Sequence, residues 1–249
     1  MIYHYTSCEF LSRIIVPIRF SLKASHYGKL GSMDYSAAKS ISRPIIKEIC
    51  LENNAPYDER EVLYPYVISF SHVANDPMMW EAFGDNGAGV MLEIDDSVVA
   101  SHAMRDFAPD VFMDCYYSDD KESIKEWLIE CRTSVLPTVS DSLQNDLIEA
   151  SAFLIPPRFC YQREKRYIIP YRTGGTITRN KKGNVVFREE EKPTHDFRFV
   201  IFDKRALKSI ILGEHCSMDC KTIQGMLKDN GYESVKVYTI DKFTTDRSV

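Results

Sequence analysis

Residues 64–95, YPYVISFSHVANDPMMWEAFGDNGAGVMLEID, carry the densest structural signal in the chain. Tyr, Val, Ile and Phe crowd residues 66–71 and predict a strand. Asp76 followed by Pro77 is a helix start: the carboxylate is placed to accept the first free N–H groups, and proline is tolerated where no N–H is needed. Met79, Trp80 and Phe83 then give a short helix one apolar face. Asp85 to Gly89 supplies turn chemistry, and residues 90–94 predict a second strand. The glycines at 84, 87 and 89 do not form a dinucleotide-binding fingerprint, because a strand and not a helix follows them.

On the N-terminal side, residues 2–6 predict a strand and Ser7 an N-cap for a helix whose apolar face is Phe10, Leu11, Ile14 and Ile15. Pro17 is expected to end that helix, and residues 20–22 to form a second short strand. Residues 25–43 are rich in Ser, Gly and Lys without a clear period and predict a loop, followed by a helix over 44–53 with Pro44 in its first turn. On the C-terminal side, helices are expected at 120–134 and 140–154, acidic on the outside and separated by Pro137, as a helical insertion or lid over 118–155. Strands follow at 159–171 and 197–202, with a hairpin tip at Lys181 to Asn184 between them. The C-terminal third predicts a strand at 209–212, a helix at 217–229 capped by Ser217 and stopped by Gly231, and a strand at 235–240. These elements predict one α+β domain over residues 1–249, built on a mainly antiparallel mixed sheet.

No apolar run approaches the roughly 20 residues of a membrane-spanning helix, and His4, Cys8, Glu9 and Arg13 interrupt the N-terminal apolar residues, so neither a membrane partner nor a secretion signal is expected. The seven cysteines form no paired framework and predict reduced thiols in a cytoplasmic protein. His215, Cys216 and Cys220 lack a second ligand cluster and predict fold closure, with no metal bound. The net charge of −5 argues against general nucleic-acid coating, but residues 158–199 hold 11 Lys and Arg against 5 Asp and Glu, which suits a phosphate-bearing ligand or simply a solvated face.

Three polar groups fall on expected strands: His4 with Thr6, Ser69 with Ser71 around Phe70, and Glu164 between Gln162 and Arg166. Side chains at i and i+2 share a face of a strand, so adjoining strands would merge the three sets into one polar cleft. Such a cleft suits a dinucleotide, with imidazole and hydroxyls for ribose and amide groups, an aromatic ring for stacking, and a carboxylate beside a developing sugar cation. In NAD the nicotinamide departs as a neutral ring, so one carboxylate would suffice. Each piece also has an ordinary structural role open to it: a hydrogen-bonded strand histidine, serines satisfying nearby backbone, an ion-paired glutamate.

The chain resembles a bacterial family described as domain of unknown function 2971, through YHYTS, VISFS, MMWEAFGDNGAGVMLEID, YQREKRYI and LKSIILGEHCS in that order. It departs from the family pattern at Phe83, where Tyr is frequent, and around Glu164, where paired glutamates are frequent. More distantly it is similar to the ADP-ribosyltransferase fold, in which a first-strand histidine, a middle Ser-x-Ser or aromatic element and a late glutamate surround NAD. That resemblance implies Glu164 and His4 as catalytic residues, and His4, Tyr5, Thr6, Ser69, Phe70, Ser71 and Arg166 as contacts to NAD. It also implies a macromolecular acceptor, protein or nucleic acid, and a role as a toxin or in phage defence. The alternative is a non-catalytic nucleotide- or nucleic-acid-binding module of the same fold.

Overall fold

The computed structural model describes residues 1–17, 19–60, 62–103, 110–134, 142–170, 176–179, 185–188 and 196–246. Its strands are β1 (Ile2–Thr6), β2 (Ile15–Val16), β3 (Arg19–His26), β4 (Tyr66–Ser71), β5 (Val90–Ile94), β6 (Val111–Asp114), β7 (Tyr116–Tyr117), β8 (Leu154–Ile155), β9 (Glu164–Ile169), β10 (Thr176–Arg179), β11 (Val185–Arg188), β12 (Phe197–Phe202), β13 (Leu207–Leu212) and β14 (Lys236–Thr239). Its helices are α1 (Leu11–Ile14), α2 (Met33–Glu52), α3 (Pro77–Phe83), α4 (Asp96–Ala103), α5 (Lys121–Ser134), α6 (Leu143–Ser151), α7 (Cys220–Asp229) and α8 (Ile240–Asp246). The α+β class and the mainly antiparallel sheet expected from the sequence are both present. The expected hairpin tip at 181–184 and Pro137 lie outside the described residues.

The unit from β4 to β5 folds as its punctuation dictates. The Asp76 carboxylate accepts from the N–H groups of Met78 and Met79 at 2.8 and 3.1 Å and starts α3. Asp85, Asn86 and Gly87 then take three successive left-handed conformations, which Asp, Asn and Gly tolerate best. Gly89 lies so close to β1 that a Cβ there would stand 2.3 Å from the Thr6 carbonyl oxygen.

Ten strands form one curled sheet in the order β12-β3-β4-β1-β5-β13-β14, with β9 on the other edge of β4 and β6 beyond it. Within this sheet the described pairings are antiparallel except for β13 with β14, and the separate pair of β7 with β8 is parallel. All of β4 pairs with β9 on one edge, Ser71 facing Glu164 and Ser69 facing Arg166. Its other edge is shared. Tyr66 and Val67 pair with β3, whereas Ser71 pairs with Tyr3 of β1. Between these contacts the sheet splits at Ile68, Ser69 and Phe70.

One face of the sheet carries the largest core, around Ile2, Phe70, Leu92, Tyr167 and Phe202. A second core joins the sheet to α2, α5 and α6 through Val67, Ile168, Ile45, Ile49, Leu128 and Leu147. A third, smaller cluster sets Tyr3 and Tyr5 against Met79 and Trp80.

Several local expectations are corrected. Residues 25–43 are not a loop: β3 runs to His26, and α2 begins at Met33 and passes through Pro44. Tyr35, Ala38, Ser42, Ile45 and Ile49 are buried at helical spacing, and their packing outweighs the proline. Pro44 itself lies on the exposed face, where water reaches the carbonyl that its ring leaves without a donor. Ser7 occupies the N-cap position, but its hydroxyl makes no cap bond and is buried without a partner. At α7 the cap is Asp219, which accepts from Thr222 N at 2.7 Å, and not Ser217. On α6 the acids are not outside: Asp146 and Glu149 are buried, and Arg132 donates to Asp146 at 3.0 Å. Residues 157–162 form a 3-10 helix, and Arg163 at φ 40 turns the chain left-handed into β9. Among the described residues no helix is long and apolar enough to cross a membrane.

Candidate functional site

A cavity of about 200 Å³ opens at the split in the sheet, lined among others by His4, Tyr35, Ser69, Phe70, Gln162 and Glu164. The split explains its chemistry. Among the described residues Ser69 has no strand partner on that edge of β4, and its carbonyl accepts from His4 Nδ1 at 2.9 Å instead. Burial lowers the His4 pKa, against the Ser69 hydrogen bond, which raises it. The ring is therefore neutral at physiological pH with its proton on Nδ1, because a carbonyl can only accept, and Nε2 keeps a lone pair.

The Ser69 hydroxyl lies 2.5 Å from the Tyr35 hydroxyl. Burial pushes the Tyr35 pKa well above the ordinary tyrosine value, so the phenol keeps its proton. Ser71 is occupied differently: its hydroxyl donates to the Gln162 carbonyl at 2.6 Å and accepts from Val73 N at 2.9 Å. It pins the end of β4 to the segment that enters β9.

Glu164 lines the cavity, with 5% of its surface exposed. Its carboxylate is gripped by Arg166, whose Nε and Nη2 donate to the two oxygens at 2.8 and 3.0 Å. Arg166 has no exposed surface. It also donates from Nη1 to the Ala152 carbonyl and lies over the Tyr35 ring at 4.3 Å. Burial alone would lower its pKa, but the facing Glu164 carboxylate raises it well above the ordinary arginine value. A buried pair with this bidentate geometry persists only because each partner compensates the other.

Of the residues singled out in the sequence, His4, Tyr5, Ser69, Phe70, Ser71 and Glu164 all line this one cavity. Thr6 does not. It lines an adjoining groove of about 570 Å³, with Arg13, Phe197 and Phe199, which shares His4, Tyr5, Lys23, Ser25 and Phe83 with the cavity. Arg166 stands behind Glu164 and is not part of the lining. Lys23 at the shared mouth lies 4.8 Å over the Phe197 ring.

Sequence reasoning missed Asp34 and Tyr35 at the start of α2, both on the cavity wall. The available signal was the spacing of Tyr35, Ala38, Ser42, Ile45 and Ile49, which continues one helical face through Pro44.

No family model matches the chain, and no curated protein or solved structure matches it. The parts of the site are a neutral imidazole, several Ser and Tyr hydroxyls, an aromatic wall and two carboxyl groups around a half-enclosed space, with cationic side chains at the mouth. Such a site can hold a polar, partly aromatic ligand and place a carboxylate beside a developing positive charge.

Proposed function

We infer that the protein binds NAD in this cavity and groove and cleaves its bond between nicotinamide and ribose, passing ADP-ribose to a macromolecular acceptor, protein or nucleic acid. The observation that carries this reading is the convergence of His4 from β1, Ser69 and Phe70 from β4, and Glu164 from β9 on one cavity. In this reading His4 Nε2 accepts from a ribose hydroxyl. Ser69 to Ser71 support the nicotinamide pocket, with the Phe70 ring packed in the core against His4, and Glu164 faces the ribosyl cation as nicotinamide leaves with the bonding electrons. Arg13 and Lys23 of the adjoining groove suit the pyrophosphate. A place in toxin action or phage defence fits a transferase of this kind.

A second reading, a binding module without turnover, is favoured by one observation. Arg166 neutralises much of the charge that Glu164 would offer to a cation. The two separate on nicotinamide release from NAD by the purified protein, with and without cell extract, compared with Glu164→Gln. Release that drops at least about a hundredfold in the variant while NAD affinity persists supports the transferase. Retained NAD binding with no release in any extract favours the module, and no binding of NAD overturns both.

A further inference from the structure

Asp34 is 4% exposed and lines the cavity, yet among the described residues its buried Oδ2 has no hydrogen-bond partner. The nearest cation, Arg166 Nη2, is 3.9 Å away and donates to Glu164 instead. Gln162, 3% exposed on the same lining, also buries its Oε1 with no hydrogen-bond partner among the described residues. Both orphaned atoms are acceptors, and leaving a buried acceptor unpaired costs the desolvation of that group with nothing in return. Orphans of this kind call for an explanation, and two on the wall of one cavity share one.

The charged donor beside the orphans is spoken for, and the free donors are one O–H of the Tyr35–Ser69 hydroxyl pair and the Gln162 amide NH2. Arg166 is committed to Glu164, the Ala152 carbonyl and the Tyr35 ring, and the Ser71 hydroxyl donates to the Gln162 carbonyl. Lys23 and Ser32, which also line the cavity, are exposed. The interior thus presents mostly acceptors, Asp34, the Gln162 oxygen, His4 Nε2 and the remaining lone pairs of Glu164, against one hydroxyl proton of the Tyr35–Ser69 pair and the Gln162 NH2. A ligand that fits it must bring hydrogen-bond donors inward. An anionic group there would meet two carboxyl groups against one guanidinium that is already engaged.

We propose that Asp34 and Gln162 form a specificity-determining floor that accepts hydrogen bonds from a neutral, N–H-bearing head group of the ligand and rejects a carboxylate in its place. Resting on the NAD reading, the head group is the primary carboxamide of nicotinamide. Its NH2 donates toward the orphaned acceptors while the phosphates remain at the cationic mouth. Asp34 binds and orients the ligand and takes no part in breaking a bond.

The test uses nicotinamide, nicotinate and NAD as probes, with affinities measured by calorimetry or competition and the thermal midpoint of the ligand-free protein recorded. Wild type is expected to bind nicotinamide about tenfold or more tighter than nicotinate, and Asp34→Asn to lose about tenfold in nicotinamide affinity and most of that discrimination. Gln162→Leu, which removes the other orphan, is expected to weaken nicotinamide in the same direction. Because Asp34 Oδ2 makes no hydrogen bond among the described residues and stands 3.9 Å from an Arg166 that is already engaged by Glu164, the midpoint of ligand-free Asp34→Asn should equal or exceed that of wild type. Unchanged nicotinamide affinity in both variants, or a clear fall in the ligand-free midpoint of Asp34→Asn, would overturn the proposal; a fall would make Asp34 a structural counter-charge to Arg166. Failure of wild type to bind any of the three probes removes the NAD reading. The floor is then decided by the midpoint alone, upheld by a rise in Asp34→Asn and overturned by anything else.

Discussion

His4 uses one ring nitrogen to repair the sheet, taking the carbonyl of Ser69 where β4 loses its strand neighbour, and this fixes which nitrogen faces the ligand. The same burial makes the residue a pH-dependent contributor to stability. Its pKa in the folded protein is below 6.5, whereas the unfolded chain protonates near that value. The unfolded state therefore binds more protons just below pH 6.5. The stabilisation is complete above that pH, declines as pH falls through it, and stops declining once the folded-state pKa is passed. His26, lowered first by burial and then by Lys29, acts in the same sense. Thermal midpoints measured from pH 7.5 to 5.0 should fall in wild type and fall less steeply in His4→Asn. Equal slopes would remove His4 from the account. Glu164 and Arg166 show the opposite economy, two charged groups buried together so that neither is left alone.

At the scale of elements, α2 decides how much of the site was legible. The strands β1, β4 and β9 could be read because alternation assigns each side chain to a face, and with them came His4, Ser69, Phe70, Ser71 and Glu164. Asp34 and Tyr35 were hidden because Ser, Gly and Lys crowd the chain before them and Pro44 suggested a helix start in place of a helix interior. The position of Arg166 behind Glu164, and of Thr6 in the groove, followed from the split of the sheet, a long-range feature that local alternation does not encode. The burial that overrides Pro44 also predicts the effect of removing it. Pro44→Ala restores an N–H for the Ser40 carbonyl on an exposed face and relieves the ring's clash with the preceding turn, so α2 should gain about 1–3 kcal/mol. Urea unfolding should show a higher midpoint with an unchanged slope. A lower midpoint would mean that the bend at Pro44 is needed to seat Asp34 and Tyr35 on the cavity.

The whole molecule is closed at the junction where β1, the glycine turn and the end of β13 meet. Gly213 lies against the turn so tightly that a Cβ would stand 2.2 Å from the Gly87 carbonyl oxygen, and His215 N donates to that carbonyl at 2.9 Å. This contact brings Cys8, just after the cavity strand, to Cys216, with the two sulfurs 2.7 Å apart and both thiols free. Burial raises the Cys8 pKa to about 12, and the Cys216 sulfur adds to the shift. A thiol of that kind attacks slowly at neutral pH, so the pair should persist reduced and oxidise only under a sustained disulfide oxidant. Treatment with oxidised dithiol reagent should join Cys8 to Cys216, transferring two electrons to the reagent and two protons to solvent and reagent. Peptide mass spectrometry after alkylation would locate the bond. Since the link closes most of the chain into one loop, the oxidised protein should gain about 2–4 kcal/mol over the reduced form, and Cys216→Ser should lose that gain while folding normally. If both cysteines remain alkylatable after prolonged oxidation, the segments that follow β1 and β13 are held apart by more than this contact implies. The junction would then be anchored by its glycine packing alone.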